Sequence, residues 1–293
     1  VQSLLTALKL LLIVGFSLLA LARVEQPQPV VLTPRAGDLE LLLGGGFAVS
    51  LIYVNYAFSG WNAATYVSGE LQNPQRHLPL ILGISTLLVS GCYLLLNYTF
   101  LATTPIDAMA GKVEVGFIAA RTVFGAGGGA AMGVILGLLL TSTVSAMIVA
   151  GPRVLQSIGE DFRVFRPLSR VNADGVPVLA ITLQSVVTLL FLWTASFERI
   201  LVFSGATMAL NTFFAVLGVF VLRWRKPDLE RPYSIWLDPL PPLVFLAITG
   251  WTLVYTVQQR PAEALMCAAV LGSGAAFYWL SLRLGRVRPG AAD

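Results

Sequence analysis

Long runs of apolar residues, separated by short polar or charged stretches, dominate the pattern along the chain. Eight of these runs are long enough to cross a bilayer as a helix, which takes roughly 17–25 residues, so the pattern predicts an all-α polytopic membrane protein. They lie at residues 3–22, 41–71, 78–101, 129–152, 176–195, 198–222, 240–258 and 262–282.

The second run, residues 41–71, is too long for one ordinary membrane-spanning helix. It contains the sequence Phe58-Ser59-Gly60-Trp61, in which a small flexible pair stands between two aromatic rings. We therefore expect one span built as two half-helices with an unwound joint. Unpaired backbone groups at such a joint are tolerated only where they line a cavity or meet a ligand. The alternative is a Ser-Gly kink that serves helix packing only.

The composition narrows the class of protein. Hydrophobic residues make up 56% of the chain and charged residues 12%, with a mean hydropathy of +0.79, which excludes an ordinary soluble domain. The net charge of +4 comes from basic residues in short loops, a pattern that indicates membrane topology rather than nucleic-acid binding. Cys92 and Cys267 lie inside apolar runs and His77 is the single histidine. The sequence therefore predicts no disulfide framework, metal site, cofactor or enzyme active site.

The basic residues also predict an orientation. Twelve of the 19 Lys and Arg residues flank the spans on one side, six lie on the other side, and Lys9 lies within a span. The side with twelve is predicted to be cytoplasmic by the positive-inside rule. The first span then runs outward, the broken span runs inward, and the C-terminus is cytoplasmic. The excess of Arg over Lys favours a bacterial plasma (inner) membrane.

In this orientation the joint has a specific chemistry. The carbonyls around Tyr56–Ser59 end the first half-helix and are predicted to lack intrahelical donors, so they suit an ammonium group. The second half-helix begins near Asn62 with free N–H groups that suit an anion. A zwitterion matches this pairing, with Tyr56 and Phe58 as apolar cover and Trp61 holding the joint open. The predicted substrate-binding residues are Tyr56, Phe58, Ser59, Gly60, Trp61 and Asn62.

Lys9 is the second candidate for function. A lysine within an apolar span is costly, and burial disfavours its charged form, which suits proton exchange. The hydroxyls of the segment Thr141-Ser142-Thr143-Val144-Ser145 are predicted partners, with Ser142 and Ser145 taken as proton-coupling residues, although such hydroxyls often bond their own helix backbone. The alternative for Lys9 is that it extends to the cytoplasmic interface, about 9 Å away by helical rise.

A family resemblance rests on these residues. The sequence FSGWN at 58–62, followed by GELQNPQRHLP at 69–79, resembles the sixth span and following turn of amino-acid permeases of the amino acid–polyamine–organocation superfamily. Residues 143–155 and Arg231-Pro232-Tyr233 resemble later segments of the same family. The resemblance covers the whole chain as spans five to twelve of a twelve-span protein. It implies the five-plus-five inverted-repeat (LeuT-type) transporter fold, with the site where broken spans one and six meet.

On this resemblance, residues 1–22 are the last helix of the first repeat, 41–222 the second repeat, and 240–282 two peripheral helices. The chain opens on Val1, and we expect the missing N-terminal spans to complete the site. In similar proton-coupled permeases a lysine of the fifth span occupies the place of sodium, which implies a proton-coupling role for Lys9.

The sequence thus predicts a secondary active transporter for amino acids, embedded in a lipid bilayer, with the proton as coupled ion. The neutral amide of Asn62 at the break favours neutral amino acids. Two alternatives stay open. One is an amino-acid exchanger, and the other is a non-transporting sensor or assembly subunit with the same fold.

Overall fold

The protein is described by a computed structural model that covers residues 2–61, 73–229 and 237–284. Those residues form helices and the turns between them. The helices are α1 (Gln2–Arg23), α2 (Asp38–Leu43), α3 (Gly45–Ala57), α4 (Pro74–Thr103), α5 (Ile106–Met109), α6 (Val115–Asp161), α7 (Val178–Thr194), α8 (Phe197–Arg225), α9 (Leu240–Gln259) and α10 (Pro261–Leu284). A 3₁₀ helix at Arg163–Ser169 lies between α6 and α7. The predicted all-α fold class of a polytopic membrane protein is confirmed.

Six helices in the described ranges are long and apolar enough to cross a membrane, namely α1, α4, α6, α8, α9 and α10. The apolar helix α7 has 17 residues, close to the shortest length that spans a hydrocarbon core. Each of these seven helices overlaps one of the predicted spans. Large apolar side chains on them remain exposed, such as Leu87, Leu138 and Trp193, as expected for surfaces that face lipid.

The remaining predicted span is the broken one at residues 41–71. Its helix, α3, begins later than the apolar run does. Helix α2 ends at Leu43, and Gly44 adopts an extended conformation that separates α2 from α3. The expectation that the helix of the span begins at Leu41 is therefore wrong. The sequence Gly44-Gly45-Gly46 explains the break, because glycine has a high entropic cost in a helix.

Helix α6 also contains a break. Gly125 has a φ of 73° and a ψ of −168°, so the helical conformation is interrupted there. The segment from Val115 to Phe124 is thus a short helix of its own. After Gly125 the helix continues to Asp161, well beyond the predicted end at 152, and Pro152 is accommodated inside it.

The chain divides into two compact units. The first comprises Val1–Pro34 and Pro79–Met147, and so contains α1, α5 and parts of α4 and α6. The ring of Phe16 lies 6.3 Å from the rings of both Phe100 and Phe124. Ser17, Thr99 and other small residues are fully buried in this unit, which is typical of membrane helices that pack closely.

The second unit comprises Arg35–Leu78 and Ile148–Asp293. In its described part, α3 packs against α8 and α9, and α8 also packs against α10. The core is a cluster of Ile52, Val202, Ala206 and Cys267, bordered by Tyr53 and Phe203. Helix α3, which leads to the predicted joint, is therefore held on the inside of this unit.

Candidate functional site

The helix of the broken span ends where the sequence predicts. Helix α3 stops at Ala57, and Phe58 has φ and ψ angles of −87° and 2°. Residues 58–61 form a turn in which Gly60 has a φ of 101°, a conformation that favours glycine. Ser59 and Gly60 thus lie outside a continuous helix. The second half-helix and Asn62 lie outside the described residues.

One detail of the predicted joint is wrong. The carbonyl oxygen of Tyr56 accepts a hydrogen bond from the backbone N–H of Ser59, at 3.0 Å. The N–H of Phe58 in turn reaches the carbonyl of Val54, also at 3.0 Å. The tight turn after α3 therefore satisfies the Tyr56 carbonyl, which was expected to be unpaired. The negative end of the helix dipole still points at this turn.

A cavity of about 190 Å³ lies between the turn and helix α8. From the α3 side it is lined by Asn55, Ser59, Gly60 and Trp61, and from α8 by Met208, Asn211, Thr212 and Ala215. Asn55 and Ser59 are four residues apart, so they share one face of the chain as it leaves α3. The cavity therefore lies beside the C-terminal end of a helix, where a positive group is favoured.

The polar groups of this cavity are neutral amides and hydroxyls. Thr212 donates its hydroxyl hydrogen to the carbonyl of Met208 at 2.9 Å, so its oxygen faces outward as an acceptor. Asn55 and Asn211 each offer a donor and an acceptor. Asn211 lies at the midpoint of α8, where a polar side chain is costly in a bilayer and marks a candidate functional position. No charged side chain lines the cavity among the residues described.

The six predicted substrate-binding residues are distributed unevenly around this cavity. Ser59, Gly60 and Trp61 line it. Tyr56 and Phe58 are not among its described lining residues. Tyr56 instead packs beside Gly205 of α8, where its Cβ lies 3.5 Å from the position that a Cβ on Gly205 would occupy.

Sequence reasoning missed the contribution of α8. Asn211 and Thr212 are adjacent polar residues inside the apolar run 198–222, and that interruption was the available signal. The run alone does not reveal that these residues face the turn at 58–61. Asn55 was also missed, although it lies one helical turn before Ser59.

Lys9 contacts the hydroxyl-rich segment of α6 within the first unit. Its Nζ donates to Oγ1 of Thr143 at 3.4 Å, and Thr143 in turn donates to the carbonyl of Leu139 at 3.0 Å. Ser145 bonds its own helix through the carbonyl of Thr141, at 2.9 Å. The hydroxyl beside the ammonium is thus that of Thr143, which lies within the predicted segment 141–145.

The surroundings of Lys9 are apolar. A cavity of about 220 Å³ in the first unit is lined by Lys9 together with residues such as Leu12, Phe16, Phe100 and Leu139. Lys9 is half-buried and is the one charged side chain among its described lining residues. The described polar partner of the amine is the hydroxyl of Thr143.

Comparison with known proteins connects the chain to a family. The model of the amino acid permease family matches residues 1–275. The chain is 26% identical to the mouse (Mus musculus) b(0,+)-type amino acid transporter 1 over 242 residues, which cover 80% of this chain and 48% of that protein. It is 28% identical to the human (Homo sapiens) large neutral amino acids transporter small subunit 2 over 254 residues, 81% of this chain and 44% of that protein. The chain spans about half the length of the curated relatives it matches.

Proposed function

This chain belongs to the amino acid permease family, and we propose on that premise that it forms part of a secondary active transporter for amino acids. The observation that carries the proposal is the cavity beside the C-terminal end of α3, where the helix stops short within a membrane-spanning segment. The relatives are named as amino acid transporters, which supports the same substrate class for this protein.

In the proposed binding mode, the ammonium group of the substrate lies at the turn of residues 58–61. It is attracted there by the negative end of the α3 dipole and by the hydroxyl of Ser59. Asn55 and Asn211 orient the substrate through their amides, while Trp61 and Met208 give apolar cover to its side chain. The carboxylate is assigned to the N–H groups that the sequence predicts near Asn62.

The proposed substrates are neutral amino acids. The described lining residues offer amides, hydroxyls and apolar groups, and these do not balance a second charge on a substrate side chain. Asn62, where the sequence predicts that the second half-helix begins, is neutral as well.

The proposed architecture is the inverted-repeat fold with alternating access. Residues 1–22 are assigned as the last helix of the first repeat, 41–222 as the second repeat and 240–282 as two peripheral helices. The assigned location is a bacterial plasma (inner) membrane with the C-terminus in the cytoplasm.

Two modes of transport are consistent with this fold, namely symport with a proton and exchange of one amino acid for another. Lys9 favours the proton, because its amine lies in an apolar cavity with the Thr143 hydroxyl as its described partner. We assign proton exchange to Lys9, while Ser142 and Ser145 contribute polarity to the same segment.

The test is uptake of radiolabelled leucine by the complete protein reconstituted in liposomes. We expect uptake into empty vesicles to rise when the exterior is made more acidic than the interior. Lys9→Ala should abolish this response, whereas leucine–leucine counterflow, which needs no net proton movement, should persist. Uptake that occurs only into vesicles preloaded with amino acid, and that ignores the pH gradient, would establish the exchanger instead. Absence of both activities would contradict the transporter proposal.

A further inference from the structure

A polar cluster that the site does not include connects three parts of the second unit. Glu198 lies in the first turn of α8, Tyr53 lies in α3, and Arg260 lies in the turn between α9 and α10. One oxygen of Glu198, Oε1, forms an ion pair with Nη2 of Arg260 and also accepts a hydrogen bond from the hydroxyl of Tyr53 at 3.3 Å. A single carboxylate therefore bridges α3 to the turn that joins α9 and α10.

This cluster contributes little to folding stability. The side chains of Glu198 and Arg260 are 53% and 36% exposed, so water screens their attraction. Exposed ion pairs of this kind have small net effects on stability. The cluster is better explained by the geometry that it imposes on α3 than by the free energy of unfolding.

The other contacts of α3 set its distance from α8 and α9. Gly205 of α8 lies so close to Ile52 that an added Cβ would be 2.6 Å from its Cγ2, and Gly45 of α3 lies against Tyr255 and Gln259 of α9. At each contact a glycine leaves room for a larger side chain, which brings the helices close together. The hydrogen bond from Tyr53 is directional, because the phenol oxygen must stay within reach of Glu198.

Tyr53 and the cavity lie on different faces of α3. Successive residues of a helix are offset by 100°, so Tyr53 and Asn55 point about 200° apart. Holding the phenol at Glu198 therefore holds Asn55, and Ser59 one turn later, toward Asn211 on α8. A rotation that released Tyr53 would move both side chains away from their places in the cavity.

We propose that Glu198 is a positioning residue, which fixes the rotation of α3 through Tyr53 and thereby keeps Asn55 and Ser59 in the cavity. The proposal rests on the assignment of that cavity as the substrate site. Arg260 acts through Glu198, since its guanidinium holds the carboxylate in place for the phenol.

The test measures the accessibility of the cavity directly. In the full-length protein, Cys92 and Cys267 are replaced by Ser, Ser59→Cys is introduced, and the rate of its reaction with N-ethylmaleimide is followed by mass. Tyr53→Phe and Glu198→Ala should each raise this rate by about three- to ten-fold, as expected for the loss of one hydrogen bond. The double variant should be no faster than the faster single one, because both changes remove the same contact.

Two matched variants separate positioning from general loosening. Glu198→Gln keeps an oxygen that accepts from Tyr53 and should restore a rate near that of the parent. Asp238→Asn breaks the ion pair of Arg223 and Asp238, whose side chains are 29% and 27% exposed, and should leave the rate unchanged.

The proposal is overturned if Tyr53→Phe and Glu198→Ala leave the labelling rate unchanged. It is also overturned if the double variant shows the product of the two single increases, or if Asp238→Asn raises the rate by the same factor. The labelling needs no transport, so its outcome is independent of activity. Protection of Ser59→Cys by leucine tests the cavity assignment separately. If leucine fails to protect Ser59→Cys while the variants still change the labelling rate as expected, that result contradicts the proposed function. It leaves the positioning role of Glu198 in place.

Discussion

Asn211 is the residue on which the chemistry of the cavity depends most. It lies at the middle of the 29-residue helix α8 and faces the turn that follows α3. A carboxamide at that depth loses its hydrogen bonds to water, so it is retained where a ligand or a polar neighbour replaces them. In the proposed binding mode the substrate replaces them, together with Asn55 across the cavity.

Replacing Asn211 with Leu keeps the branched shape and the number of side-chain heavy atoms and removes the donor and the acceptor. We expect the KM for leucine uptake to rise about ten-fold, because a substrate polar group would lose its partner in a desolvated site. The measurement is initial-rate uptake by proteoliposomes over a range of leucine concentrations.

Asn97→Leu is the matched control. Asn97 lies in α4, where its amide donates to the carbonyl of Tyr93 at 2.8 Å. That change should leave the KM unaltered. An unaltered KM in Asn211→Leu, or an equal increase in both variants, would remove Asn211 from the binding mode.

At the scale of elements, the apolar pattern located the membrane helices well, because the length of a bilayer crossing limits what an apolar run can become. The break after Ala57 followed from Ser59 and Gly60, whose local preferences oppose a helix. The break at Gly44 was missed although Gly44-Gly45-Gly46 was the available signal, because glycine is also common inside membrane helices. The faces of α3 and α8 that meet were not predictable either, because they depend on contacts between residues far apart in the chain.

One such contact makes a prediction about helix packing. In α8, a Cβ on Gly205 would lie 2.6 Å from Cγ2 of Ile52 and 3.3 Å from its carbonyl oxygen. Gly205→Ala should therefore push α3 and α8 apart and destabilise the protein by about 1–3 kcal/mol. The measurement is the shift in thermal unfolding of the purified protein in detergent.

Gly218→Ala provides the comparison on the same helix. No atom lies within 4 Å of the Cβ position at Gly218, so alanine meets no obstacle there and improves helix propensity. We expect unchanged or slightly raised stability. If both substitutions lower the unfolding temperature equally, the close approach at Gly205 is not what holds α3.

At the scale of the molecule, the contacts within the second unit give the relative direction of α3 and α8. Ile52 contacts Gly205, and further along both helices Ser59 lines the same cavity as Thr212. Because these pairs follow the same order along both helices, α3 and α8 run in the same direction. The alternation of predicted spans requires this for the second and sixth spans, whichever way the protein is inserted. In the proposed orientation both run inward, and the cavity then lies on the cytoplasmic side of the Tyr53–Glu198–Arg260 cluster.

The orientation predicts on which side of the membrane the two ends of α6 lie. Lys112 precedes this helix and is exposed, and Arg170 follows it and is exposed as well. In intact cells, a membrane-impermeant maleimide should label Lys112→Cys, whereas Arg170→Cys should react only after permeabilisation. Cys92 and Cys267 lie within helices and are replaced by Ser to remove background labelling.

The two possible failures of this experiment have different meanings. The reverse pattern would invert the orientation and would place α3 with its carbonyl end facing outward. Labelling of both positions from one side would mean that α6 does not cross the bilayer, despite 47 residues of predominantly apolar sequence.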